Sequence, residues 1–241
     1  MSKKKADTPK TRLGTQLRGK LQQAYDARGE SKNILYMQYS PTCKQDIVFP
    51  SQIEFLHFHL VEWDSRIASV NYTPLKRVAL IAGEVLGTIV DVEITMKSGE
   101  NVWREVKPKA ELAAGAASRA NLQILIQLQA AKDENVWHEV WTEDQIYQEP
   151  LLLRNRVRAT TWLAGARDFV LTEHEREVLQ LLHRLKAVEF RHVLQLGEST
   201  QQALFGAALL NLVRRGRVLS DLDAKPFTGR SKFYLGDEDE N

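Results

Sequence analysis

Residues 87–109 read GTIVDVEITMKSGENVWREVKPK, and the pattern on either side of the central KSGEN sets the architecture of the first half of the chain. Two strand-like runs flank a Gly-containing turn, which predicts an antiparallel hairpin. In an extended strand successive side chains point to opposite faces, so Glu105 and Lys107 emerge side by side while Val106 turns away. Folding back at KSGEN carries Asp91, near the start of the first strand, towards the EVK end of the second. This constellation has two readings. One is a plain ion pair, worth about 0–1 kcal/mol at a surface. The other is a metal site. A hard cation such as Mg²⁺ prefers oxygen ligands, which Asp91, Glu105 and the Val106 carbonyl would supply, with Lys107 orienting a water or neutralising a phosphate.

Upstream, residues 15–30 (TQLRGKLQQAYDARGE) have the composition of a short helix, and residues 40–51 (SPTCKQDIVFPS) have the Pro, Ser and Thr of a loop. Ser51 is placed to cap a helix in SQIEFLHFHLVEWD, whose Ile53, Leu56, Leu60 and Val61 recur at helical spacing and whose first turn holds Glu54. RIASVNYTP and the run from Arg77 are strand-like. Downstream, residues 109–134 are Ala-rich, lack proline and predict one long helix; residues 135–147 return to alternation and predict another strand. A mixed-sheet α/β core follows from this order.

From Thr172 the character changes. TEHEREVLQLLHRLK opens on a Thr172–Glu175 capping-box pattern and carries an apolar stripe through Val178, Leu179, Leu181, Leu182 and Leu185. Two further helices are predicted in VEFRHVLQLG and ESTQQALFGAALLNLVRRG, then a hairpin around Pro226 and Gly229. Three helices and a hairpin is the order of a winged helix. The expected organisation is a basic arm (1–20), a catalytic domain (21–165), a winged-helix domain (166–235) and an acidic tail (236–241).

The 241 residues are 43% hydrophobic, enough for a substantial core in one large or two modest domains. The net charge of +2 is uneven: residues 1–20 hold seven Lys or Arg against Asp7 alone, and GDEDEN closes the chain. Basic arms bind phosphates without specificity, but a solvated tail accounts for the same composition. Cys43 is the single cysteine, which excludes an internal disulfide and a Cys-clustered zinc site and fits a reducing cytoplasm. No apolar run approaches the roughly 20 residues that span a bilayer, and MSKKK leads into polar residues instead of a signal-type apolar core. The expected location is the prokaryotic cytoplasm, on the nucleoid when bound to DNA. No GxxxxGK[ST] stretch supports ATP hydrolysis.

SQIEFLHFHLVEWDSRIASVNYTP, GTIVDVEIT, NVWREVKPK and VWTEDQIY together resemble the successive landmarks of the TnsA-type transposon endonucleases, over Ser51 to Ile146. The resemblance implies a restriction-endonuclease-like PD-(D/E)XK domain followed by a winged-helix-like domain. It places Glu54 at the helical glutamate, Asp91 at the central aspartate, Glu105 at the variable acidic or amide position and Lys107 at the catalytic lysine. It also implies a Mg²⁺ cofactor for which Mn²⁺ can substitute, held by Glu54, Asp91, Glu105 and the Val106 carbonyl. Glu62 and Glu93 depart from a simple match, so Glu54, Glu62 and Glu93 all stay open as the group completing the site. The implied activity is cleavage of the non-transferred, 5′ strand at transposon ends, beside a DDE transposase (TnsB-type) and an AAA+ regulator (TnsC-type). Two alternatives stand: a restriction-like nuclease of a defence system with the same site, and a winged-helix DNA-binding or adaptor protein in which Glu105 and Lys107 are only an ion pair.

Other candidates have plainer readings. His57 and His59 lie two apart on a predicted helix and point to different faces, so structural roles fit better than a metal pair. The tryptophans read as packing groups more than as base-stacking platforms. Lys109 is an exposed loop lysine that could meet a phosphate. Ser199, Gln201 and Gln202 open the third carboxy-terminal helix, where side chains reach base edges, and Arg214, Arg215, Arg230 and Lys232 lie where phosphate contacts would fall. Winged helices also dock proteins, and the family resemblance favours partner binding with assisting DNA contact.

Overall fold

The computed structural model describes residues 21–28, 34–116 and 118–236; the basic arm and residues 237–241 lie outside the described residues. Helix α1 (Leu21–Arg28) precedes a hairpin, β1 (Tyr36–Ser40) and β2 (Gln45–Phe49), then α2 (Gln52–Glu62) and β3 (Ile67–Asn71). A second hairpin, β4 (Arg77–Ile81) and β5 (Glu84–Thr88), leads to β6 (Val92–Met96) and β7 (Asn101–Val106). Helices α3 (Lys109–Leu112) and α4 (Arg119–Asp133) connect to β8 (Trp137–Trp141), α5 (Glu143–Ile146) and α6 (Pro150–Gly165). The carboxy-terminal part comprises α7 (Thr172–Leu185), β9 (Ala187–Glu189), α8 (Phe190–Leu194), α9 (Gln202–Arg214), β10 (Val218–Ser220) and β11 (Lys232–Leu235).

The central sheet runs β3-β6-β7-β8. It is mixed: β3, β6 and β7 pair antiparallel, whereas β7 and β8 are parallel and need the α3–α4 crossover between them. Residues of β7 alternate between two apolar layers. Val102 faces Phe49, Phe58, Val61 and Tyr72 on the α2 side, and Trp103 faces Ala79, Ile126 and Ala130 on the α4 side. Glu105 shares the α4 side with Trp103 because it lies two residues along.

Four expectations about the elements need correction, the first being the single strand over residues 135–147: β8 ends at Trp141, and Thr142 and Gln145 form a capping box that starts α5. Residues 40–51 are only partly loop, since Gln45–Phe49 pairs with β1 and buries Ile47, Val48 and Phe49. The 109–134 helix is two helices. Gly115 takes a φ of +97°, Ser118 caps α4 by accepting the Asn121 N–H, and the Asn121 amide donates to the Leu112 and Gly115 carbonyls; these local bonds outcompete Ala-rich propensity. The Thr172–Glu175 capping box does not form. Thr172 already lies inside α7, and the Glu175 carboxylate instead accepts from Asn211 at 2.6 Å and pairs with Arg215 at 3.4 Å.

In the carboxy-terminal part, β9 and β10 flank β11 in an antiparallel sheet of order β10-β11-β9. Helix α9 is buried almost all round, from Phe205 to Leu210 and at Leu212, between α6, α7 and α8. Gly206 lets it approach α6, because a Cβ there would meet the Trp162 ring at 2.8 Å. Gly216 ends α9 at φ +77°, with Gly216 N–H on the Val213 carbonyl and Arg217 N–H on the Leu212 carbonyl, the left-handed cap that glycine favours.

Helix α6 joins the two halves: Leu153 packs with Val106 and Ile146, while Ala159 and Leu163 join Trp63 in the carboxy-terminal core. Polar contacts follow the same seam. Buried Glu62 accepts from Ser40 Oγ (2.6 Å), the Thr42 N–H and Oγ1 (3.1 and 2.8 Å) and Tyr72 OH (2.9 Å), with Arg214 Nη1 at 3.9 Å. Thr160 Oγ1 donates to the Arg156 carbonyl and accepts from Trp63 Nε1 at 2.8 Å. Its one proton is thereby used, so His59 Nδ1, 3.1 Å away, is the donor in that contact and Nε2 carries a buried lone pair with no partner among the described residues.

Burial pulls the His59 pKa down to about 3. The native protein therefore binds fewer protons than the unfolded chain between pH 6.5 and 3, so stability is intact above pH 6.5 and falls on acidification by up to roughly 4–5 kcal/mol from this group. Urea titrations across that range are expected to show a slope that flattens by about one proton in His59→Gln; an unchanged slope would refute the assignment.

Candidate functional site

The site forms where β6 begins and β7 ends. Continuing the β6–β7 register by one residue sets Asp91 opposite Glu105, and Asp91 N–H donates to the Arg104 carbonyl at 3.1 Å. Asp91 Oδ2 in turn accepts the Val106 N–H at 2.8 Å, which clamps the carboxylate to the strand end. Lys107 Nζ lies 2.6 Å from Glu105 Oε1. The Lys107 side chain is 17% exposed and that of Glu105 only 1%, so anything entering the site meets the lysine first.

Burial and the nearby Asp91 charge push the Glu105 carboxyl up, to about 8, against the opposing pull of Lys107. Burial on its own would lower the Lys107 ammonium, but the charges of Glu105, Asp91 and Glu54 outweigh it and raise the pKa. Both directions have one origin: more negative than positive charge is packed into a poorly solvated space. Glu54 stands in the first turn of α2 with Oε1 accepting from Ser51 Oγ at 2.9 Å, and its charge reaches Lys107.

Helix α4 contributes what the sequence reading missed. Gln123 and Gln127, four apart and so on one helix face, donate from Nε2 to Glu105 Oε1 (2.9 Å) and Oε2 (2.7 Å). The two other glutamates considered for the site are committed elsewhere. Glu62 is in the seam beside α6, and Glu93 pairs with Arg77 at 2.7 Å and Asn71 at 2.8 Å in a polar cleft of about 280 Å³.

The donor chemistry fits a hard cation, because two carboxylates meet beside the Val106 backbone and Glu105 Oε2 keeps one in-plane lone pair. Among the described residues no three His, Cys, Asp or Glu side chains gather into a metal cage. A cation here would keep water or phosphate oxygens in most of its shell, as Mg²⁺ commonly does.

The residues considered for DNA contact are dispersed. Lys109 is exposed with its ammonium 2.6 Å from Asp144. Ser199 and Gln201 are exposed in the turn leading into α9 and Gln202 in its first turn, while Phe205 to Leu210 and Leu212 are buried. Arg214 points into the seam, 2.9 Å from Thr42 Oγ1 and within 3.3 Å of Asn211 Oδ1. Arg215, Arg230 and Lys232 are exposed. No helix among the described residues is long and apolar enough to cross a membrane. No protein-family model matches the chain, and no curated protein matches it.

Proposed function

We propose that the chain is a Mg²⁺-dependent DNA endonuclease of TnsA type, with a restriction-endonuclease-like catalytic part and a carboxy-terminal winged helix, cutting the 5′ strand at transposon ends. The observation that carries this reading is the packing of Asp91, Glu105 and Lys107 into one small, poorly solvated space at the ends of β6 and β7. Asp91 and Glu105 would hold the cation. When bound, it supplies Lewis-acid stabilisation of the phosphate and a more acidic water. Lys107 donates one N–H to Glu105 and turns its remaining donors to a phosphate oxygen or the attacking water. Glu54, whose charge reaches Lys107, orients that water or joins the cation's shell. The helix, strand, helix, helix, hairpin order around a three-stranded sheet supports the winged helix. Burial of α9 favours docking of a DDE transposase or an AAA+ regulator by that part over base readout, which needs a helix face free to enter a groove.

A second reading has its own observation. The 2.6 Å contact between Lys107 and Glu105, with both carboxylate oxygens also bonded to glutamines, is what a structural ion pair in an adaptor protein would show. Calorimetric titration of Mn²⁺ into wild type and Asp91→Ala, with a short duplex present, separates the two. Binding that weakens by about tenfold or more in the variant supports the nuclease; no binding to either protein leaves the ion pair.

A further inference from the structure

We propose that Gln127, itself held by His138, is the positioning residue that keeps the Glu105 carboxylate in its ligating orientation. This inference rests on the nuclease reading. Gln127 is fully buried in α4, where an amide with unmet hydrogen bonds would be costly. Both amide protons and the amide oxygen have partners. Nε2 donates to Glu105 Oε2 at 2.7 Å and to the Ile89 carbonyl at 3.2 Å, and Oε1 lies 3.1 Å from His138 Nε2. An amide oxygen only accepts, so His138 donates from Nε2 and the amide cannot flip without opposing oxygen to oxygen at Glu105. The chain of contacts spans three elements: β8 orients α4, and α4 orients the carboxylate at the end of β7. Gln123 shares the load on Oε1, but Lys107 already engages that oxygen; among the described residues Gln127 alone directs Oε2, the oxygen with a lone pair left for a cation.

The test measures Mn²⁺ affinity by calorimetry with duplex present, together with kcat, KM for duplex and thermal melting, in wild type, Gln127→Leu, His138→Leu and His138→Gln. Gln127→Leu is expected to weaken Mn²⁺ by about 10- to 100-fold and to lower kcat in parallel, with KM within about twofold. His138→Leu is expected to weaken Mn²⁺ by roughly 3- to 10-fold. His138→Gln, which still offers an N–H to Gln127, is expected to recover to within about threefold of wild type. A purely structural role would shift melting and leave Mn²⁺ affinity alone, and wild-type affinity in Gln127→Leu overturns the proposal. If Gln127→Leu does not fold, equal affinities in the two His138 variants overturn it instead. Wild type that binds no Mn²⁺ removes the nuclease reading and this inference with it, an outcome visible before any variant is made.

Discussion

Lys107→Ala protein is expected to lose about 10²- to 10³-fold in the rate of 5′-strand cleavage while binding Mn²⁺ more tightly than wild type. The two effects have opposite signs because the lysine does two things. Its ammonium lies 2.6 Å from Glu105 and feels the charges of Asp91 and Glu54, so its removal leaves more negative charge at the site and a stronger attraction for a cation. On the proposed function the same removal takes away the donor that would face the phosphate. At pH above the raised Glu105 pKa the metal-free variant has a buried carboxylate stripped of its partner, and there its stability should fall by about 3–5 kcal/mol in chelator and recover when Mg²⁺ is added. Cleavage in the reconstituted reaction, melting with and without chelator, and Mn²⁺ calorimetry read all three. A variant that cleaves at the wild-type rate, or whose stability ignores Mg²⁺, would remove Lys107 from the site chemistry.

Asn155→Asp is expected to destabilise the fold by about 3–5 kcal/mol. Asn155 is fully buried in α6, donates from Nδ2 to the Leu222 and Lys225 carbonyls at 2.7 Å each, and accepts the Phe227 N–H at 2.9 Å. It staples the β10–β11 connection to the helix that joins the two halves. A carboxylate would oppose two carbonyl oxygens with an oxygen and would bury a charge. The folded-state pKa of the new acid is therefore raised, so the deficit relative to wild type should narrow as pH falls towards 4 and widen above it. Denaturation midpoints at pH 4.5 and 7 measure this, and a variant within about 1 kcal/mol of wild type at pH 7 would show that the connection finds other partners.

How much of the site was legible follows the reach of its signals. The Glu105–Lys107 side-by-side placement is a two-residue periodicity, and the approach of Asp91 is a hairpin closed by Gly99, so both are local and were read from residues 87–109. Gln123 and Gln127 carry no such mark. On an Ala-rich helix they look like good solvent-facing helix formers, and only the pairing of β7 with β8 turns their face onto Glu105. Glu62 and Arg214 were misjudged for the same reason: their roles depend on a seam between segments about 150 residues apart. Helix α6 went unread although Pro150 opens it, and Asn155 inside it gives only the weak hint of a poor helix former in a helix interior.

By itself the sequence determined the elements whose signals are short-range: the Ser51-capped α2 with Glu54 in its first turn, the β6–β7 hairpin, and the run of helices and hairpin after Thr172. Turn chemistry and side-chain alternation act within a few residues, so no partner is needed to read them. The tertiary structure alone decided which charges face one another, that α9 is enclosed instead of presented, and that Glu105 is held from α4. Those outcomes depend on which buried faces meet, and burial sets both the cost of an unpaired polar group and the strength of a paired one.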